Sequence, residues 1–165
     1  MAYDFLLAYR GKLSAGAIRP EPPEDGERKL ELIVLFTGVA NTLKALDTAM
    51  CMAEGLNARV RLVVPQTVPY PLPLASPPVL LEFTEDCFRK IAEVQSVETA
   101  VEIFLCRDSY TLWQEVLLPH STVIVGGSKR WWPTKEQRLA RRLQKMGHEA
   151  IFATAAIPEG KFLHA

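Results

Sequence analysis

The chain is poor in cysteine and has no long apolar run. Its three cysteines, Cys51, Cys87 and Cys106, are odd in number and lack C-x-x-C spacing, which argues against a disulfide framework and against a zinc site. We expect them to be reduced and mostly buried, because free cysteine behaves as a small hydrophobic side chain. No apolar run approaches the roughly 20 residues of a membrane span, and Asp4 stands where a signal peptide is basic. We therefore expect a cytoplasmic protein with no membrane contact.

Net charge is also lacking, since 19 Lys+Arg balance 19 Asp+Glu in 165 residues. This balance excludes a uniformly basic protein and makes nucleic acid an unexpected partner. The charge is nevertheless uneven: the basic segment, Lys129 to Lys145, carries seven cations and one acid, and the remaining residues sum to −6. The segment is open to two interpretations. It is either a solvated helix face or a site for a phosphate-bearing ligand or a protein partner.

Motifs of catalysis are missing as well. The three histidines are scattered, with no His-Glu-x-x-His spacing, and the chain has neither a Gly-x-Ser-x-Gly elbow nor a Gly-x-x-x-x-Gly-Lys-Ser loop. Asp108 precedes a helical pattern and is better explained as a helix N-cap than as a catalytic acid. We therefore expect no enzyme activity and no metal site.

Composition divides the chain into three parts. Residues 20–29 hold three prolines, one glycine and six charged residues, which is typical of a linker. We accordingly assign residues 1–29 to an amino-terminal extension and linker, 30–157 to one domain, and 158–165 to a tail. Within the extension, the segment Tyr3 to Ile18 has an apolar cluster. It either docks on the domain, docks on a partner or is loosely attached.

From residue 30 onward, short apolar runs alternate with helical patterns. The predicted strands are Leu32–Phe36, Val60–Val64, Ala100–Leu105, Thr122–Val125 and Ala150–Ala153. The predicted helices run from Asn41 or Thr42 to Gly55 and Asn57, over Val79–Gln95, from Asp108 or Ser109 to Pro119, and from Thr134 to Gly147. Such alternation predicts an α/β fold: an open, doubly wound, five-stranded parallel sheet with helices on both faces. Ligands of such sheets bind beyond the carboxyl ends of the strands, where the strand order reverses.

Several segments resemble those of one family in order and spacing. Arg107-Asp108-Ser109 looks like a Gly-Asp-Pro turn, and the segment from Val123 to Arg130 looks like Leu-Ile-Val-Met-Gly-Ser-Arg-Gly. The segments Leu32–Phe36, Ala45–Ala49 and Val60–Pro65 precede them. Together, over roughly residues 30–153, they resemble the universal stress protein family. The resemblance implies an adenine-nucleotide alpha-hydrolase-like sheet, a homodimer, a role in the stress response and, in part of the family, ATP at the switch point.

The resemblance also suggests which residues would contact a nucleotide. The candidates are Thr37, Gly38, Gly127, Ser128 and Arg130. Thr37 stands where ATP-binding members have an acid, and Arg130 stands where they have the second glycine of a Gly-x-x-Gly loop. A side chain at that position obstructs the approach of backbone amides to phosphate.

These departures favour a non-enzymatic, dimeric regulatory or interaction module without the full ATP signature and with no certain cofactor. One alternative is a binding module for ATP, AMP or another phosphate ligand at the five candidate residues. A second is a flavin or other cofactor enzyme on a similar fold.

Trp131 and Trp132 lie in a predicted loop beside cations. They either fold back on their own domain or form an interface with a partner.

Overall fold

The computed structural model describes residues 6–10, 30–74 and 99–154, which form one sheet with helices on both faces. The elements are β1 (Leu6–Arg10), β2 (Glu31–Leu35), α1 (Val39–Leu56), β3 (Arg59–Thr67), β4 (Thr99–Cys106), α2 (Ser109–Val116), β5 (Thr122–Gly126), α3 (Lys135–Lys145) and β6 (Glu149–Ala153). Each of the five predicted apolar runs forms a parallel strand, which confirms the α/β class. The predicted helix Val79–Gln95, Cys87, the linker 20–29 and the tail 158–165 lie outside the described residues.

The sheet has six strands in the order β1-β4-β3-β2-β5-β6. Strands β2 to β6 are mutually parallel, as predicted. The sixth strand, β1, comes from the amino-terminal extension and pairs antiparallel with β4, with Leu6 opposite Cys106 and Arg10 opposite Glu102. The prediction of five strands therefore needs this correction. Residues 6–10 of the extension therefore dock on the domain, which is one of the three interpretations given above.

Both faces of the parallel strands are buried, and successive residues contribute to opposite faces. On one face, Leu32 and Val34 of β2 pack with Ala45, Leu46 and Ala49 of α1. On the other face, the cluster contains residues from β2, β5, α2 and α3, including Ile33, Leu35, Val123, Val125, Leu112, Trp113 and Leu143. Chain order runs outward from β2 to β4 and then resumes with β5 on the other side of β2. The strand order thus reverses between β2 and β5.

Helix α1 begins at Val39, earlier than the cap predicted at Asn41 or Thr42. Gly38 is its N-cap, with φ +145°, and the carbonyl of Gly38 accepts the N–H of Thr42 at 2.8 Å. The Thr42 side chain is buried, and its Oγ1 accepts the N–H of Thr37 at 3.4 Å, so it does not cap its own helix. At the other end, Asn57 caps the helix in the left-handed conformation.

Strand β3 continues through Pro65 to Thr67, beyond the predicted end at Val64. Proline is compatible here because β2 ends at Leu35, opposite Val63, so β3 has no ladder partner on that side at Pro65. The caps of the two later helices agree with prediction. Asp108 accepts the N–H of Thr111 at 3.0 Å, and Thr134 forms a capping box with Gln137.

Candidate functional site

A cleft of about 400 Å³ opens between α2 and α3 at the carboxyl ends of the central strands. This is the edge of the sheet where the reversed strand order predicts a ligand. The lining residues are Phe36, Thr37, Pro65, Ser109, Tyr110, Trp113, Lys135, Glu136, Arg138, Leu139 and Arg142. They come from the ends of β2 and β3 and from α2 and α3, so the fold assembles the cleft from four separate parts of the chain.

The apolar part of the cleft is formed by four side chains: Phe36, Pro65, Trp113 and Leu139. Trp113 is only 3% exposed, so most of its indole packs in the core under α2 and little of it reaches the cleft. Leu139 packs against the same core cluster. The cleft therefore has a rigid apolar wall, against which a planar or aliphatic part of a ligand would lie.

Three cations from α3 line the cleft: Lys135, Arg138 and Arg142. Their spacing of three and four places them on one side of the helix. Glu136 is the only acid in the lining, so the ionisable lining groups sum to +2. Within the parts of the chain that the structure describes, none of the three cations forms an ion pair. The α3 side of the cleft is therefore positively charged.

Arg142 also joins the two helices that border the cleft. Its guanidinium lies over the ring of Tyr110, 4.5 Å from the centroid. The first-turn N–H of Thr111 holds the pKa of the Asp108 carboxyl below its usual value, and Arg142 lowers it further. The cap of α2 is therefore ionised beside a cation of α3.

Of the five candidate residues from the sequence, only Thr37 lines this cleft. Its hydroxyl donates to the carbonyl of Gly126 at 3.3 Å, which joins the ends of the neighbouring strands β2 and β5. Gly38 is the N-cap of α1 and does not line the cleft. Ser128 accepts a hydrogen bond from Lys44 Nζ at 3.2 Å. Arg130 is exposed and lies outside the lining.

The two glycines at the end of β5, Gly126 and Gly127, are required by packing inside the fold. A Cβ on Gly127 would lie 2.5 Å from the ring of Phe152 in β6, and a Cβ on Gly126 would overlap the carbonyl of Asn41 in α1. The N–H of Gly127 donates to the carbonyl of Ala153 at 2.9 Å. These contacts account for both glycines without a phosphate group.

Sequence reasoning did not select Lys135, Arg138, Arg142 and Tyr110 as one site. The signal that could have found three of them is their spacing within the basic segment, on the side of α3 that also carries Leu139. Tyr110 and Phe36 carry no such signal, because only the folded sheet brings them to the same edge.

The cysteines differ from one another. Of the two cysteines that the structure describes, Cys51 is exposed on α1 and departs from the expectation that the cysteines are mostly buried. Cys106 is buried, and burial raises the pKa of its thiol to about 11, which keeps it protonated and unreactive at neutral pH.

The described ranges contain no group of three or more His, Cys, Asp and Glu that could hold a metal ion. No helix within them is long and apolar enough to cross a bilayer.

The side chains of the two tryptophans in the basic segment are largely exposed to solvent. Trp131 is 93% exposed and Trp132 is 77% exposed. The interpretation that they fold back on their own domain is therefore wrong.

Comparisons with known proteins return no family model, no curated protein and no solved structure that matches this sequence.

Proposed function

We propose that the protein is a non-enzymatic binding module whose cleft holds a small phosphate-bearing ligand with a planar apolar part, of the AMP or ATP type. The observation that carries this proposal is the row of three cations on α3, which has no ion-pair partner among the described residues and faces an apolar wall. Cations of this kind form charge-assisted hydrogen bonds with phosphate oxygens.

The size and the polarity of the cleft support a ligand of this class. Its volume of about 400 Å³ lies within the range of small-molecule sites. Phosphate would lie towards Arg138 and Arg142, and a planar ring would lie against Phe36 and Leu139. The hydroxyls of Thr37 and Ser109 supply hydrogen-bond donors and acceptors between these two regions.

Regulation by ligand binding, in place of turnover, is the role that the resemblance to universal stress proteins suggests. The cleft lining offers cations, hydroxyls and apolar surface, a set suited to holding an anion. We propose a homodimer on the same resemblance. It is compatible with the position of β6 at the end of the sheet, where within the described residues only β5 pairs with it.

The proposal is tested by thermal denaturation and calorimetry with AMP, ATP, inorganic phosphate and adenosine. A ligand that binds only the native state adds about 2.7 kcal/mol of stability at a hundredfold excess over its Kd. We expect AMP or ATP to stabilise the protein more than phosphate, and adenosine to have little effect, because adenosine cannot engage the cations.

A double variant distinguishes binding in the cleft from a general attraction of anions to the basic helix α3. Arg138→Gln with Arg142→Gln should abolish the AMP or ATP effect. Arg141→Gln removes a cation from the same helix at an exposed position outside the lining and should leave the effect in place. The proposal is wrong if no phosphate compound stabilises the protein, or if Arg141→Gln weakens binding as much as the double variant.

A further inference from the structure

Five consecutive residues between β5 and α3 are exposed: Lys129, Arg130, Trp131, Trp132 and Pro133, here named the tryptophan loop. Tryptophan is highly buried on average, so two adjacent indoles at 93% and 77% exposure are exceptional. Neither indole belongs to the two clusters of buried residues in the described structure, and neither lines the cleft. Their apolar surface is therefore not explained by the fold or by the proposed ligand.

The tryptophan loop is held at both ends. Before it, the N–H of Gly127 donates to Ala153 at 2.9 Å and the hydroxyl of Ser128 accepts from Lys44 at 3.2 Å. After it, Thr134 and Gln137 exchange the two hydrogen bonds of a capping box. Only five residues lie between these anchors. A short loop fixed in this way loses less conformational entropy when it binds a partner.

The chemistry of the loop is that of an energetic centre in a protein interface. Tryptophan and arginine are enriched among residues that contribute most to protein–protein affinity, and Arg130 directly precedes the two indoles. The loop contains two cations and no acid. A complementary surface therefore carries carboxylates next to apolar side chains.

We propose that the tryptophan loop docks an acidic segment of another protein, with its apolar side chains packed on Trp131 and Trp132 and its carboxylates paired with Lys129 and Arg130. The site is separate from the cleft, since none of these four residues lines it. The inference therefore stands independently of the proposed ligand.

The composition of the loop favours a protein partner over a nucleic acid. The loop has only two cations beside two exposed indoles. A nucleic acid is bound mainly through contacts of many cations with phosphate. A protein segment with carboxylates next to apolar side chains matches both the cations and the indoles of the loop.

In the first experiment, the full-length protein is the target, and short random peptides displayed on phage are selected for binding to it. Counter-selection uses the double variant Trp131→Ser with Trp132→Ser, which should keep the fold because both indoles are exposed. We expect enrichment of peptides that combine Asp or Glu with Leu, Ile, Phe or Trp. No enrichment over the counter-selection would overturn the proposal, and so would enriched peptides without acids.

The second experiment measures one enriched peptide by fluorescence anisotropy. Trp132→Ala should weaken binding about thirtyfold, as expected for a central interface residue. Lys129→Gln with Arg130→Gln should weaken the salt dependence of association, because it removes the two cations of the loop without adding acids. Leu118→Ser is the control, because it changes an exposed apolar side chain before β5, at the opposite end of that strand. Circular dichroism checks that each variant is folded.

The same binding measurements would also reveal a different partner at the tryptophan loop. Tighter binding of labelled oligo(dT) or of phosphatidylserine vesicles than of the peptide would replace the protein partner by a nucleic acid or a membrane surface. Concentration-dependent self-association that the Trp131→Ser, Trp132→Ser variant loses would replace it by a second copy of the chain. Each of these results overturns the proposal.

Discussion

Arg61 Nε lies 2.9 Å from a carboxylate oxygen of Glu102, and both residues are more than 90% buried in the sheet. Another nitrogen of the guanidinium lies 3.1 Å from Glu31, whose side chain is 43% exposed. A third donates to the carbonyl of Val116 at 3.4 Å. One arginine of β3 therefore joins β2, β4 and the carboxyl end of α2.

Removing Glu102 should be costly, because Arg61 would remain charged and buried. Among the described residues, the half-exposed Glu31 would then be its only carboxylate partner. We expect Glu102→Leu to lower the free energy of unfolding by about 3 kcal/mol. Glu31→Leu removes the more solvated partner and should cost less than about 1 kcal/mol. Urea denaturation measures both, and equal losses would contradict this account.

The N-cap of α2 should depend on the oxygen of Asp108. Asp108→Ala removes the acceptor for the N–H of Thr111, and we expect a loss of about 1 kcal/mol. Asp108→Asn keeps an acceptor oxygen, so it should retain most of that stability. Chemical denaturation of the two variants is the measurement. An Asn variant as unstable as the Ala variant would show that the side-chain oxygen is not what stabilises the helix.

Gly127 should be intolerant of any side chain because of Phe152. We expect Gly127→Ala to lower the free energy of unfolding by about 1–3 kcal/mol, the usual cost of overpacking. Gly55→Ala is the matched control: it lies in the last turn of α1 with open space around it, and should stabilise by about 0.5–1 kcal/mol. Combining Gly127→Ala with Phe152→Val should restore stability, and failure of this rescue would argue against packing as the reason for the glycine.

Acid should destabilise the protein through His148. Burial lowers the pKa of this histidine below 6.5, with a smaller contribution from His120, and its Nδ1 is buried without a hydrogen-bond partner. The unfolded chain binds the proton more readily than the native state does. The stability present above about pH 6.5 is therefore lost as the pH falls through the lowered native pKa.

Urea denaturation across this pH range in the native protein and in His148→Leu measures that loss. The variant should show a flatter dependence of stability on pH. His120→Asn should keep most of the dependence, because burial is the larger cause of the shift. An unchanged slope in His148→Leu would assign the acid sensitivity to other groups.

Local sequence patterns were sufficient where the interactions are local. Val123, Ile124 and Val125 form a continuous apolar run, which is typical of a strand buried on both faces, and all three are fully buried. Asp108 and Thr134 each satisfy a backbone amide three residues ahead, so their caps could be predicted without the fold.

Sequence prediction failed where the structure depends on a hydrogen-bond partner that lies outside the local pattern. The start of α1 was misplaced because the Thr42 hydroxyl accepts from Thr37, a contact that leaves Gly38 as the cap. Strand β1 was missed because Leu6 to Arg10 obtain their ladder partners only from β4, about a hundred residues further along the chain.

Local sequence is enough to establish the alternation of strands and helices, the buried faces and the excess of positive charge between Lys129 and Lys145. Each of these depends on neighbouring residues and on the periodicity of apolar side chains. The folded sheet is needed to establish which cations line the cleft, that Phe36 and Tyr110 join them, and that Trp131 and Trp132 remain in solvent. These depend on strand order and on anchors at Ala153 and Lys44, which bring together atoms far apart in the chain.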